Sequence, residues 1–203
     1  LAKLFGWNAV LGLACIPLSI VFVAYMLMAK DAPNAPAPKK LVDYFQPLKQ
    51  ADAWWLMAFY AVTFGGFVGL AASLPIYFTD QFGLTPIIAG YCTAACVFAG
   101  SLVRPMGGAL ADKIGGVKTL TMVYLVAALA LSGVAYASTL TGALGFFVLA
   151  MLALGTGNGS VFQLVPQRFQ AEIGVMTGLV GMAVGIGGFY LASALCIAKQ
   201  LTG

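Results

Sequence analysis

The apolar runs in this sequence are long enough, and free enough of charge, to decide the fold class before any motif is read. Six stretches, 7–29, 54–78, 86–110, 119–137, 142–165 and 175–198, are almost devoid of Asp, Glu, Lys and Arg. A helix needs about 20 such residues to cross a bilayer core of roughly 30 Å. Of the 203 residues only 8% are charged and 62% are hydrophobic, against about 25% charged in a soluble domain, so a water-soluble surface cannot be built. Because lipid offers no partners to the backbone, each run is expected to be helical, and the fold class is an all-α polytopic membrane protein with six transmembrane helices.

The segments between the runs set the topology. After the first run comes DAPNAPAPKKLVDYFQPLKQAD, whose prolines interrupt a helix and whose charges keep it at the membrane surface. The other connections are short and favour antiparallel neighbours in one bundle. The organisation expected is a transmembrane helix over 1–29, a linker over 30–53 and a five-span bundle over 54–203. Lys30, Lys39, Lys40, Lys49, Lys113, Lys118 and Arg168 all fall on one side if the spans alternate, whereas the opposite loops, around TDQFGLTP and ASTLTG, hold no basic residue. The basic side is expected to be cytoplasmic, with Trp54 and Trp55 anchoring at that interface. A net charge of +4 spread singly along the chain is a topology signal rather than a nucleic-acid stripe. Cys15, Cys92, Cys96 and Cys196 read as small apolar packing residues. No signal peptide is expected ahead of the first span, and the chain, which starts at Leu1, reads as a piece of a longer protein.

Against this apolar background one charge stands out. Arg104 lies six residues inside the third span, flanked by VFAGSLV and PMGGALA, or about 9 Å from its end at 1.5 Å per residue. An arginine at a helix centre costs about 2.5–3.5 kcal/mol on insertion scales. The competing readings are an arginine that snorkels to the interface and one held inside as an anion site. Asp80, Asp112 and Glu172 are all near span ends, so no carboxylate within a span is available to pair with it. A planar, permanently charged fork suits a small planar oxyanion.

Two further polar groups share its depth. Tyr60, six residues into the second span, carries a hydroxyl that wants a partner in lipid; a backbone carbonyl or the interface would also satisfy it. Asn158, in GTGNGSVFQLVP, lies about seven residues from the end of the fifth span among Gly155, Gly157 and Gly159. The sixth span adds Gly181, Gly185, Gly187 and Gly188 near mid-membrane, and small residues let backbones or a ligand approach closely. The run GALADKIGG, containing Gly108, Asp112, Lys113, Gly115 and Gly116, reads as a tight cytoplasmic turn serving as gate or packing latch. There Asp112 is placed to accept from a neighbouring helix N-terminus. Arg168 and Glu172 on the next loop are candidate partners, solvated loop charges being the alternative.

GALADKIGG resembles the cytoplasmic-loop motif of the major facilitator superfamily. YAVTFGGFVG, GSLVRPMGGALADKIGG, and GTGNGSVFQLVP followed by TGLVGMAVGIGGF are similar to the second half of a nitrate/nitrite porter. The resemblance implies a twelve-helix fold in two halves with substrate between them, of which this chain supplies helices six to eleven. It also implies that Arg104 is the second-half arginine, that Tyr60 bonds the anion, that Phe64 walls the site, and that the stretch holding Gly185 and Gly187 is the second nitrate signature. The function expected is secondary transport of nitrate or nitrite by alternating access, as nitrate/nitrite exchange or proton-coupled uptake, in nitrate assimilation at the bacterial cytoplasmic (inner) membrane. The absence of carboxylates within the spans leans toward exchange. A carrier of another small anion and a non-transporting scaffold are the alternatives. An enzyme is not expected, since the sequence has no His and no metal-ligand cluster. No cofactor or nucleic-acid partner is expected; the partners are the anion, the bilayer and the N-terminal half of the same protein. Without that half, the chain is not expected to transport.

Overall fold

The structure, a computed structural model, describes residues 2–30 and 41–202. They are helical, with no strand among them, and six helical stretches are long and apolar enough to span a membrane: Asn8–Met28, Ala51–Phe82, Pro86–Ile114, Gly116–Ala135, Leu140–Arg168 and Ile173–Leu201. Each observed helix contains most of one apolar run and extends a few residues beyond it at one or both ends. Once a helix is nucleated, each added residue gains a hydrogen bond, and this carries it past the last apolar side chain.

Helix α1, Ala2–Met28, stands in a unit of its own. Gly6, at φ 75°, interrupts its first turns, and Pro17 lies within the span, where a membrane helix tolerates the lost hydrogen bond. Residues 31–40, which include Lys39, Lys40 and three of the four prolines of the linker, lie outside the described residues.

The second unit, residues 41–203, holds the other five spans. It opens with a 3₁₀ segment, Leu41–Lys49, onto which Trp54 Nε1 donates to the Leu48 carbonyl at 2.9 Å. Trp54 and Trp55 are otherwise exposed, as side chains at a membrane interface are. The second span is not one uniform helix. It comprises α2 (Ala51–Tyr60), a π-helical turn (Ala61–Gly65) and α3 (Gly66–Phe82). The third is divided at Val103 into α4 (Pro86–Leu102) and α5 (Arg104–Ile114), with Pro105 in the first turn of α5, where its missing N–H is least costly. Then come α6 (Gly116–Ala135), α7 (Leu140–Arg168) and α8 (Ile173–Thr202).

Helix α7 is central and packs against α2 through α6, the π turn and α8. Two apolar clusters fill the bundle. One gathers Leu56, Met57, Tyr60, Val161, Val165, Phe169, Met176 and Val180 toward the basic side. The other gathers Phe67, Leu74, Phe78, Cys96, Phe147 and Met151 toward the opposite side. Phe64, in the π turn, touches both, so the seam between the clusters falls at the depth of Arg104.

Two expectations about the basic loops are corrected. Of the glycines in GALADKIGG only Gly115, at φ 97°, makes the turn; Gly108, Asp112 and Lys113 lie within α5, and Gly116 already begins α6. Among the described residues no hydrogen bond to the Asp112 carboxylate is found, and Asp112 itself lies within α5. Arg168 pairs with Asp52 at 3.5 Å, both more than half exposed, and so ties the end of the fifth span to the start of the second instead of reaching Asp112. Glu172 contributes its carbonyl, which accepts the Met176 amide at 2.8 Å as α8 begins. On the opposite side Asp80 and Lys199 form an ion pair between the ends of α3 and α8.

Candidate functional site

The site is built around the break in the third span. Restarting the helix at Arg104 places its side chain against the second span, where the guanidinium carbon lies 4.5 Å from the centroid of the Phe64 ring and 4.9 Å from that of Phe67. The ring centroids are 6.2 Å apart and the rings tilt by 46°, so the cation sits in the angle between them rather than between parallel plates. A cation over an aromatic face gains about 0.5–2 kcal/mol, the upper end where water is excluded. Arg104 Nε is buried with no hydrogen-bond partner, and among the described residues the ion pairs involve Arg168 and Lys199, not Arg104. The head group therefore packs against aromatic rings of the second span.

Tyr60, the last residue of α2, is 7% exposed. Its ring packs 5.5 Å from Phe64 and makes an edge contact with Phe162 at 4.8 Å, and Phe64 is the ring on which Arg104 rests. Asn158 is 3% exposed, and neither its Nδ2 nor its Oδ1 has a hydrogen-bond partner. Four residues before Phe162 on α7, it stands on the same helix stripe as the ring that meets Tyr60. A buried amide left unpaired costs about 1–3 kcal/mol, the kind of unfilled capacity that a ligand satisfies.

The π turn sets these positions. An i→i+5 turn is wider than an α turn and is found mostly at functional sites. Just before it, the Phe59 carbonyl accepts both Thr63 Oγ1 and the Tyr124 hydroxyl, each at 3.0 Å. Thr63 is fully buried, and its side chain fills the space left by Gly157: a Cβ there would lie 2.7 Å from Thr63 Cγ2. The third span is locked to α7 in the same way. A Cβ at Gly159 would lie 2.2 Å from the Arg104 carbonyl oxygen, and Ser160 Oγ donates to the Gly107 carbonyl at 3.1 Å.

The structure thus brings Arg104, Tyr60 and Phe64 into one cluster and places Asn158 one helical turn from Phe162, whose ring meets Tyr60. Gly187 backs onto the π turn, where a Cβ would lie 2.0 Å from the Ala61 carbonyl oxygen, whereas Gly185 has open space at its Cβ position. The motif residues Asp112, Lys113, Gly115 and Gly116 lie toward the basic end of the third span and the start of the fourth, Gly108 is nearer the seam with Gly159, and Arg168 and Glu172 stand at the end of α7 and before α8. Gly116 packs under Leu164 and Gln163. Sequence reasoning missed Phe67, Phe162, Thr63 and Tyr124. For Phe67 there was a signal, since Tyr60, Phe64 and Phe67 follow i, i+4, i+7 spacing; Tyr124 is 65 residues from its partner and left none.

Residues 1–192 match the model of the Major Facilitator Superfamily. The chain is 32% identical over its full length to a nitrite extrusion protein of Bacillus subtilis, covering 51% of that protein. It is 33% identical over its full length to a probable nitrate transporter of Staphylococcus carnosus, covering 52% of it. With a probable nitrate/nitrite antiporter of Thermus thermophilus it shares 28% identity, over 98% of this chain and 49% of the relative. The chain spans about half the length of these relatives. Six membrane-length helices and bacterial relatives of this kind make it a multi-pass integral protein of the bacterial inner membrane.

Proposed function

The chain belongs to the major facilitator superfamily, and from that premise we propose that it is the substrate-binding second part of a nitrate/nitrite secondary transporter working by alternating access. On this reading α1 closes the first half, 30–53 links the halves on the cytoplasmic face, and 54–203 supplies five helices of the second half. Arg104 receives the anion, Tyr60 and Asn158 donate to it, Phe64 walls it, and Gly185 borders its path. The motif around Gly108, Asp112, Lys113, Gly115 and Gly116, with Arg168 and Glu172, serves the cytoplasmic gate. The protein so described moves its substrate chemically unchanged and is not an enzyme.

The observation that carries the proposal is the state of Arg104: a permanent cation inside a span, with a buried, unpartnered Nε and no carboxylate pair among the described residues. A structural arginine in lipid normally pairs with an acid or a backbone carbonyl. One kept free of both has donors to offer a mobile anion, and relatives named for nitrate and nitrite support the identity of that anion.

The test is uptake of nitrate and nitrite by the full-length protein in proteoliposomes, with Arg104→Lys as the variant. Lysine keeps the charge but loses the planar fork, and loss of a charge-assisted hydrogen bond worth about 1.5–3 kcal/mol lowers affinity roughly ten- to a hundredfold. Unchanged affinity and flux overturn the proposal. Stimulation of nitrate uptake by internal nitrite, against stimulation by an inward proton gradient, separates exchange from symport. Transport of another small anion to the exclusion of both nitrate and nitrite favours the alternative carrier.

A further inference from the structure

The support of Arg104 comes from an unexpected quarter. A cation held without an acid needs some other source of negative potential, and two rings supply it. Phe64 is half-buried, at the seam between the two apolar clusters, where an anion would meet it. Phe67 is different. It is 3% exposed, belongs to the core of the second cluster, and lies behind the guanidinium at 4.9 Å. Its ring also has a seat prepared for it, because a Cβ at Gly100, one turn before Arg104, would lie 2.6 Å from Phe67 Cε2. The missing side chain at Gly100 thus lets the ring settle under Arg104 and against the α4 backbone.

We infer that Phe67 is a positioning residue of the anion site, whose ring face holds the Arg104 guanidinium in the membrane interior while leaving its hydrogen-bond donors free. A carboxylate in this position would hold the cation equally well but would occupy the donors that the substrate needs and repel an incoming anion. An aromatic face attracts the charge through its quadrupole and accepts no strong hydrogen bond. The ring thereby keeps Arg104 charged, extended and receptive. An aliphatic side chain of similar volume would fill the space without supplying that field, and the arginine would regain its route to the interface by snorkelling.

This inference rests on the anion-site reading given above, and one experiment separates the two. The full-length protein is prepared with phenylalanine, monofluoro-, difluoro- and trifluorophenylalanine at position 67, and equilibrium nitrate and nitrite binding is measured in detergent. Fluorination drains the ring quadrupole stepwise with little change in size. A cation–π contact at a desolvated site corresponds to roughly a ten- to thirtyfold effect, so affinity should fall progressively across the series toward that limit, with Phe67→Leu at least as weak as the trifluoro form. The melting temperature should move little across the fluorinated proteins. If the parent binds nitrate or nitrite but affinity is flat across the series, Phe67 is ordinary packing and the inference is overturned. If the parent binds neither anion, the anion-site reading itself fails.

Discussion

Gly187→Ala and Gly185→Ala, two additions of one methyl group only two residues apart on α8, are expected to have opposite signatures. At Gly187 the new Cβ would lie 2.0 Å from the Ala61 carbonyl oxygen and 2.7 Å from the Ala61 carbonyl carbon. Ordinary contact begins near 3.4 Å, so α8 and the π turn must part by roughly 1.4 Å or the π turn must rearrange. Both colliding groups are backbone, so no side-chain rotation relieves the contact. Gly65 makes the reciprocal approach, its own Cβ position lying 2.6 Å from Gly187 Cα, so the seam has no slack on either side.

Overpacking of this kind costs about 1–3 kcal/mol or more, and in lipid no hydrophobic drive between helices restores the lost packing. At about 2–4 °C per kcal/mol for a domain of this size, 3 kcal/mol corresponds to a fall of roughly 6–12 °C. Gly185, with nothing within 4 Å of its Cβ position, should accept alanine with no change in melting temperature. Any effect there should appear in nitrate flux alone, because the proposed role of Gly185 is to border the anion path. The assay is thermal unfolding of the purified full-length proteins followed by size-exclusion chromatography, with proteoliposome uptake alongside. A Gly187→Ala protein that melts and transports like the parent would refute the close-packing argument.

Two further substitutions probe the polar groups of the same layer. Asn158→Leu removes a buried amide that lacks partners at both Nδ2 and Oδ1 while nearly conserving volume; melting should rise by the equivalent of about 1–3 kcal/mol while nitrate binding weakens, and a stability loss with unchanged binding would contradict the assignment. Tyr124→Phe should cost only about 0.6–1 kcal/mol, the usual value for one hydrogen bond between membrane helices, because Thr63 still serves the Phe59 carbonyl. Adding Thr63→Val strips that carbonyl of both side-chain donors, so a double-mutant cycle should show a loss larger than the sum of the single changes; strict additivity would mean that the two hydroxyls do not share a role.

How much of this was legible in the sequence depended on whether the cause was local. The spans were readable because crossing lipid demands a run of apolar side chains in one continuous segment. Arg104 was readable because a charge inside such a run is costly wherever its neighbours lie. Depth along each span, counted from its basic end, also put Tyr60 and Asn158 in the layer of Arg104, and Tyr60 and Arg104 both pack on Phe64. The π turn at Ala61–Gly65 was not readable, since AVTFG is compatible with an α-helix; the wider turn is seen together with the Gly187 backbone against Ala61 and the Tyr124 hydroxyl on Phe59. The choice of Asp52 over Asp112 for Arg168 was equally hidden, because loop charges of like spacing give no sign of which helix end stands beside which.

The close packing of α7 links the two unusual polar residues. With Gly157 pressed against Thr63 and Gly159 against the Arg104 carbonyl, the helix backbone lies so near its neighbours that the intervening side chain, Asn158, is buried in the same seam. The glycines on either side thus account for the burial of its amide. The contact at Gly159 also ties the Arg104 backbone directly to α7, with Ser160 on Gly107 reinforcing it one step further along. The guanidinium, in turn, leans on Phe64 and Phe67 of the second span. Second, third and fifth spans thus hold Arg104 by its side chain, its own backbone and its carbonyl face respectively. Under the alternating access proposed above, such a site cannot open by flexing one helix away from the arginine without breaking either the glycine seam or the aromatic support. Rigid-body rocking, which leaves both intact, is the motion this packing favours.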